Sequence, residues 1–146
     1  MVCGRSSLAI DKNKLRQKLQ FMRENIAHLR YFQEMTLEEF SREVINEYAA
    51  TRMLQIIIEA MLDICAHIIA REGWGLPKSY GELVALASQH DLIPREMKET
   101  YQSMVRFRNR VVHLYDNVDK QEIYDIIQNH LDDFQPFMQR VIEHYF

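Results

Sequence analysis

Arg108-Asn109-Arg110-Val111-Val112-His113-Leu114-Tyr115 places two guanidinium groups, an amide, an imidazole and a phenol within eight residues of an otherwise apolar stretch. Groups of these types suit metal-free cleavage of an RNA phosphodiester. Such a reaction needs a base for the ribose 2′-hydroxyl proton, an acid for the departing 5′-oxygen, and cationic donors for the charge gathering at phosphorus. An imidazole titrating near pH 6.5 can serve either proton role, and the planar fork of arginine matches the oxyanions. Tyr115 could position the phosphate, and its hydroxyl could equally be an accessible modification site.

On a helix turning about 100° per residue, Arg106, Asn109, Arg110 and His113 form one contiguous cationic, hydrogen-bonding stripe. Met104, Val105, Arg108, Val111, Val112 and Tyr115 form the adjoining stripe, apolar except for the arginine and the phenol. Arg108 is the odd member, a permanent charge on a packing face, and a buried charge requires a partner. Arg108 and His113 lie about 140° apart on an ideal helix, so one straight helix does not bring them together. Convergence requires either a change in helix geometry near His113 or a second copy of the chain across a two-fold axis. With one histidine in the segment, a shared dimeric site would draw one imidazole from each copy. The plainer reading is a helical dimer module with no chemistry, since Arg-x-x-x-x-His arises often by chance. His28, His67, His90, His130 and His144 are scattered without metal-ligand spacing, so neither a metal site nor a cofactor is expected.

The elements that must carry these groups read as helices. Leu15, Leu19, Met22, Ile26 and Leu29 recur at steps of three and four, which predicts a helix over 11–33. Thr36-x-x-Glu39 has the form of a capping box and opens a short helix to Val44. A long apolar helix follows over 46–71 and stops before Gly73-Trp74-Gly75 and Pro77. Its one narrow polar stripe is Arg52, Gln55, Glu59 and Asp63, either a solvated face or one from which Glu59 or Asp63 balances an arginine of the 108–115 segment. Ser79-x-x-Glu82 begins a short helix ending near His90, and Pro94 suits the first turn of a helix over 94–114. Asp119-x-x-Glu122 opens a closing helix whose apolar face runs from Ile123 to Val141. No strand alternation or hairpin turn is found. The expected fold is all-α, with residues 1–10 as a tail and 11–146 as a single domain.

Composition bounds the function. The chain has 146 residues, 47% hydrophobic and 27% charged, with a net charge of −3, so contact with nucleic acid must come from a local patch. Cys3 and Cys65 make no disulfide framework. The start lacks the apolar core of a signal peptide, and no run is expected to span a bilayer, so a cytoplasmic protein with no membrane partner is anticipated.

The segment R-N-x-x-V-H-x-Y resembles the signature of the HepT-like toxins of the HEPN ribonuclease superfamily. The order of further pieces is similar to theirs: Arg52…Gln55…Glu59…Asp63, Gly73…Pro77-Lys78-Ser79-Tyr80, Leu92-Ile93-Pro94, and Asp119 through Phe137. The resemblance covers roughly residues 11–142. It implies an antiparallel HEPN bundle with short additional helices that dimerises through the motif helices to form a composite endoribonuclease site. It implies Arg108 and His113 at the catalytic positions and Asn109 beside them; the residue types add Arg106 and Arg110 as contacts to the RNA backbone and Glu59 in support. It further implies a toxin paired with a minimal nucleotidyltransferase antitoxin that transfers AMP to Tyr115 and blocks the RNA cleft. The alternative is a non-catalytic helical dimer, a nucleotide- or protein-binding accessory to such a transferase.

Overall fold

A computed structural model of the chain describes residues 9–114 and 118–146. Seven α-helices are present among them, and no strand: α1 (Lys12–Gln33), α2 (Leu37–Arg42), α3 (Val44–Glu72), α4 (Tyr80–Gln89), α5 (Lys98–His113), α6 (Lys120–Asn129) and α7 (Gln135–Tyr145). Four of the helices start at residues whose side chains cap them. Asp11 accepts from Lys14 N, Ser79 from Glu82 N and Asp119 from Glu122 N. At Thr36 the box is complete, because Glu39 also accepts from the Thr36 amide. At Ser79 it is only half made, because the Glu82 carboxylate turns to the Lys78 amide instead.

The centre of the bundle is α3. Twelve of its residues are buried, among them Leu54, Ile57, Ile58, Met61, Leu62 and Ile64, and α1 packs along it, with α4, α5 and α6 covering other sides. Gly73 ends the helix in the left-handed conformation at φ 69°, where a glycine carries no Cβ penalty. The expectation that no run could span a bilayer is corrected here. By length and composition α3 qualifies, because Glu59 and Asp63 are the only carboxylates, and no lysine or arginine occurs, in its most apolar stretch of 18 residues. Its burial inside the bundle accounts for that composition.

Two boundaries differ from the sequence expectation. Pro94 precedes a 3-10 turn, Arg95–Met97, and the α-helix itself begins at Lys98. The single closing helix is two, α6 and α7, separated by a 3-10 segment at Leu131–Phe134. Pro136, in the first turn of α7, lacks the N–H that a continuous helix would use. Tyr101, fully buried on α5, completes the break: its hydroxyl donates to Asp133 O at 2.7 Å and accepts from Phe137 N at 3.2 Å. Those two backbone groups would bond each other in an unbroken helix, so the phenol stands inserted in the i→i−4 ladder. That insertion ties α5 to the closing pair of helices and fixes the orientation of the motif helix.

Candidate active site

Arg108 lies on the side of α5 that faces α3. Its Nε donates to Glu59 Oε2 at 3.0 Å, and its Nη1 to Asn109 Oδ1 at 3.2 Å. Gln55, one turn earlier on α3, donates its amide to the same Glu59 oxygen at 3.1 Å. The guanidinium plane also sits 5.0 Å from the ring centroid of Tyr80, the first residue of α4. The Arg108 side chain is 15% exposed and that of Glu59 is 32% exposed, so the pair is sheltered without being sealed. Of the two acids offered by the polar stripe, Glu59 is therefore the one that balances Arg108. Asp63 points away and pairs with Lys18 Nζ at 2.9 Å. The Nη2 of Arg108 donates to none of the described residues, which leaves one edge of the fork for an incoming oxyanion.

His113 is the last residue of α5 and is exposed, next to the exposed Leu114. The helix stays α through His113, so Arg108 and His113 keep about 140° of rotation and roughly 7.5 Å of rise between them. The change in helix geometry that would converge them in one chain is absent. Tyr115 lies outside the described residues.

The cationic stripe is less open than its residue types suggest. Arg110 grips Glu122 of α6 with both ends of its fork, at 2.9 and 2.5 Å. Hydrogen bonding to Glu122 pushes the Arg110 guanidinium above its already high ordinary value. Arg106 is exposed and stands 3.8 Å from Glu99. Asn109, the remaining member, turns its oxygen to Arg108. Sequence reasoning missed the roles of Tyr80, Gln55 and Glu122. The first two carried a readable signal: Gln55 sits one turn from Glu59 on the same polar stripe, and Tyr80 opens the helix after the Pro77 turn. Among the described residues, no group of three or more His, Cys, Asp or Glu is placed to hold a metal ion.

The arrangement thus offers a sheltered, orientated guanidinium and an exposed imidazole on one helix. The family described as ribonuclease HepT-like matches residues 22–141. The chain is 29% identical over 100 residues to the mRNA nuclease HepT of Shewanella oneidensis, spanning 68% of this chain and 75% of that protein. It is 24% identical over 126 residues to the tRNA nuclease HepT of Aphanizomenon flos-aquae, spanning 85% and 84%. Among solved structures, a tri-AMPylated Shewanella oneidensis HEPN toxin in complex with an MNT antitoxin superposes with a TM-score of 0.82 at 24% identity, covering 90% and 98% of the two chains. The cytosolic Bacillus subtilis protein YutE superposes at 0.80 with 23% identity, covering 92% and 90%. Those superpositions speak for the fold, a HEPN-type all-α bundle. Since the family match begins within α1 and ends within α7, this chain belongs to the ribonuclease HepT-like family.

Proposed function

We propose that the chain is the toxin of a toxin–antitoxin pair, an endoribonuclease of the cytoplasm that cuts RNA without a metal at a site shared by two copies. The observation that carries this reading is the regular α5. Arg108 is turned toward α3 and His113 toward solvent on one unbroken helix, so a common site requires a second copy. In that site one His113 removes the 2′-hydroxyl proton and the two-fold related His113 protonates the 5′-oxygen. The attacking 2′-oxygen bonds to phosphorus as the 5′-oxygen leaves, giving a 2′,3′-cyclic phosphate and a free 5′-hydroxyl. Arg108, held by Glu59 and Asn109, presents its remaining N–H edge to the charge that develops on the phosphorane oxygens. Arg106 and Arg110 lie on the His113 side of the helix; Arg106, which is exposed, contacts the RNA backbone, while Arg110 is held by Glu122.

The mRNA and tRNA nucleases among the relatives and the complex of a HEPN toxin with its MNT antitoxin support the rest of the reading. A cognate minimal nucleotidyltransferase neutralises the chain by transferring AMP to Tyr115, which adds bulk and negative charge two residues beyond His113 in the sequence. Purified protein is expected to cut RNA in EDTA and leave 2′,3′-cyclic phosphate ends, and cleavage that needs an added divalent cation would refute the mechanism. Co-expression with the transferase is expected to raise the intact mass by one or more adenylyl groups. Tyr115→Phe is expected to abolish that gain, and an unchanged gain in this variant would move the acceptor elsewhere.

A further inference from the structure

Each arginine of the motif helix is opposed by a carboxylate: Arg108 by Glu59, Arg110 by Glu122 and, at 3.8 Å, Arg106 by Glu99. The chain as a whole carries −3. The pull on a polyanion such as RNA therefore comes from charge held elsewhere on the surface. The first half of α1 holds such charge, for Lys12, Lys14, Arg16, Lys18 and Arg23 occur there with no carboxylate between them. Lys14 and Lys18 sit about 40° apart on one flank of the helix. That flank borders the polar stripe of α3. Lys18 Nζ meets Asp63 Oδ2 at 2.9 Å, and Asp63 is one turn, about 6 Å, along α3 from Glu59 and its Arg108.

The Asp11 amide donates to His67 Nε2, so α1 runs antiparallel to α3 and Lys14 falls between the Asp63 and His67 contacts. After burial, the largest influence, Arg71 and then Lys14 hold the His67 pKa below its ordinary value. Each acts more strongly than Asp11 acts the other way, so the potential there is positive. Beyond Asp63 the exposed residues of α3 are Ala66 and Ala70, which leave the surface beside the cations low. The outcome is a strip that begins at Arg108 and Glu59, passes Lys18 and Asp63, and ends at Lys14 and Arg71. From Glu59 to Arg71 it measures about 18 Å along α3. Asp63 offsets Lys18, whereas Lys14 and Arg71 make no ion pair among the described residues.

A row of cations on long side chains reads a repeating charge rather than a shape, which is how single strands are held by their backbone. We infer that this strip between α1 and α3 is the track for the RNA strand that flanks the cleaved bond, with Lys14 and Arg71 holding its phosphates. The inference rests on the nuclease reading for the scissile phosphate at Arg108, and its test does not need cleavage.

The probe is a 2′-O-methyl oligouridine of about 12 nucleotides, which lacks the attacking hydroxyl, bound at a series of salt concentrations. The variant carries Lys14→Gln and Arg71→Gln. The control carries Arg23→Gln and Lys98→Gln, which removes the same charge from exposed positions off the strip. Arg23 lies about 180° around α1 from Lys14. Each phosphate contact on a single strand adds about 0.7 to the slope of affinity against salt on logarithmic axes. Between about 50 and 200 mM salt the wild type is thus expected to lose about 7-fold more affinity than the variant. The control is expected to follow the wild type. An unchanged slope in the variant, or an equal reduction in the control, would overturn the inference. So would a change in dimer mass in the variant, which would mean that a second copy covers the strip. A salt-dependent loss seen only with anionic phospholipid vesicles would make the strip a membrane contact and overturn it too. A reduced slope without cleavage of unmodified RNA by the wild type would sink the nuclease reading alone, and cleavage with an unchanged slope would sink only the track.

Discussion

Removing Glu59 should cost more stability than removing its partner, and the asymmetry can be worked out from exposure. Glu59→Ala leaves the Arg108 guanidinium, 15% exposed, with its Nε unanswered and no route to neutrality, because arginine does not deprotonate. Breaking a fully buried pair from one side costs roughly 3–5 kcal/mol, and the partial exposure here reduces that to about 2 kcal/mol. Arg108→Ala strands a carboxylate that is 32% exposed and still accepts from Gln55, so water can restore much of its solvation. That loss is about 1 kcal/mol. In thermal unfolding the two variants should fall by about 4–8 °C and 2–4 °C respectively. The double variant should cost less than the two single losses together, since neither charge is then left alone. Circular dichroism melts of the three proteins, at matched concentration because oligomerisation raises the melting temperature, supply the cycle. Equal losses below about 0.5 kcal/mol, with simple additivity, would show an ordinary solvated surface pair and remove the reason for giving Glu59 a supporting role.

Two further outcomes follow from groups away from the site. Tyr101→Phe deletes the hydroxyl that joins Asp133 O to Phe137 N, stranding a donor and an acceptor. A loss of about 2–4 kcal/mol in chemical denaturation is expected, and a loss under 1 kcal/mol would mean that the two backbone groups close on each other unaided. His67 accepts from the Asp11 amide through Nε2 at 2.9 Å, and burial, then the nearby Arg71 and Lys14, lower its pKa below the ordinary 6.5 despite Asp11. The neutral ring is thus favoured by folding, and its contribution is intact above pH 6.5 and lost as pH falls from there through the folded value. His67→Gln, which keeps an acceptor, should flatten that acid-side decline in melting temperature, and an unchanged pH profile would exclude His67 as its source.

What the sequence made legible was whatever local chemistry determines. Thr36, Ser79 and Asp119 start helices because their side chains bond amides three residues on, and such signals need no knowledge of the rest of the chain. The partner of Arg108 was legible as one of two acids because Glu59 and Asp63 share a stripe, and only packing could choose between them. The break between α6 and α7 was hidden: the apolar spacing of Ile123, Ile127, Leu131 and Phe134 runs straight through it. The group that holds it open is Tyr101, which comes from another helix. Arg110 was assigned to a cationic stripe from residue type and helical spacing. Its bidentate bond to Glu122 depends on how α6 lies beside α5, a matter of tertiary geometry.

Whether two copies share one catalytic site can be read from subunit mixing. Wild-type protein and His113→Ala are combined in varying proportion, allowed to exchange, and assayed for RNA cleavage in EDTA. If each site needs an imidazole from both copies, activity should follow the square of the wild-type fraction, about a quarter at equal mixing. Activity that falls in direct proportion, to about half at equal mixing, would place the whole reaction within single chains and contradict the shared site.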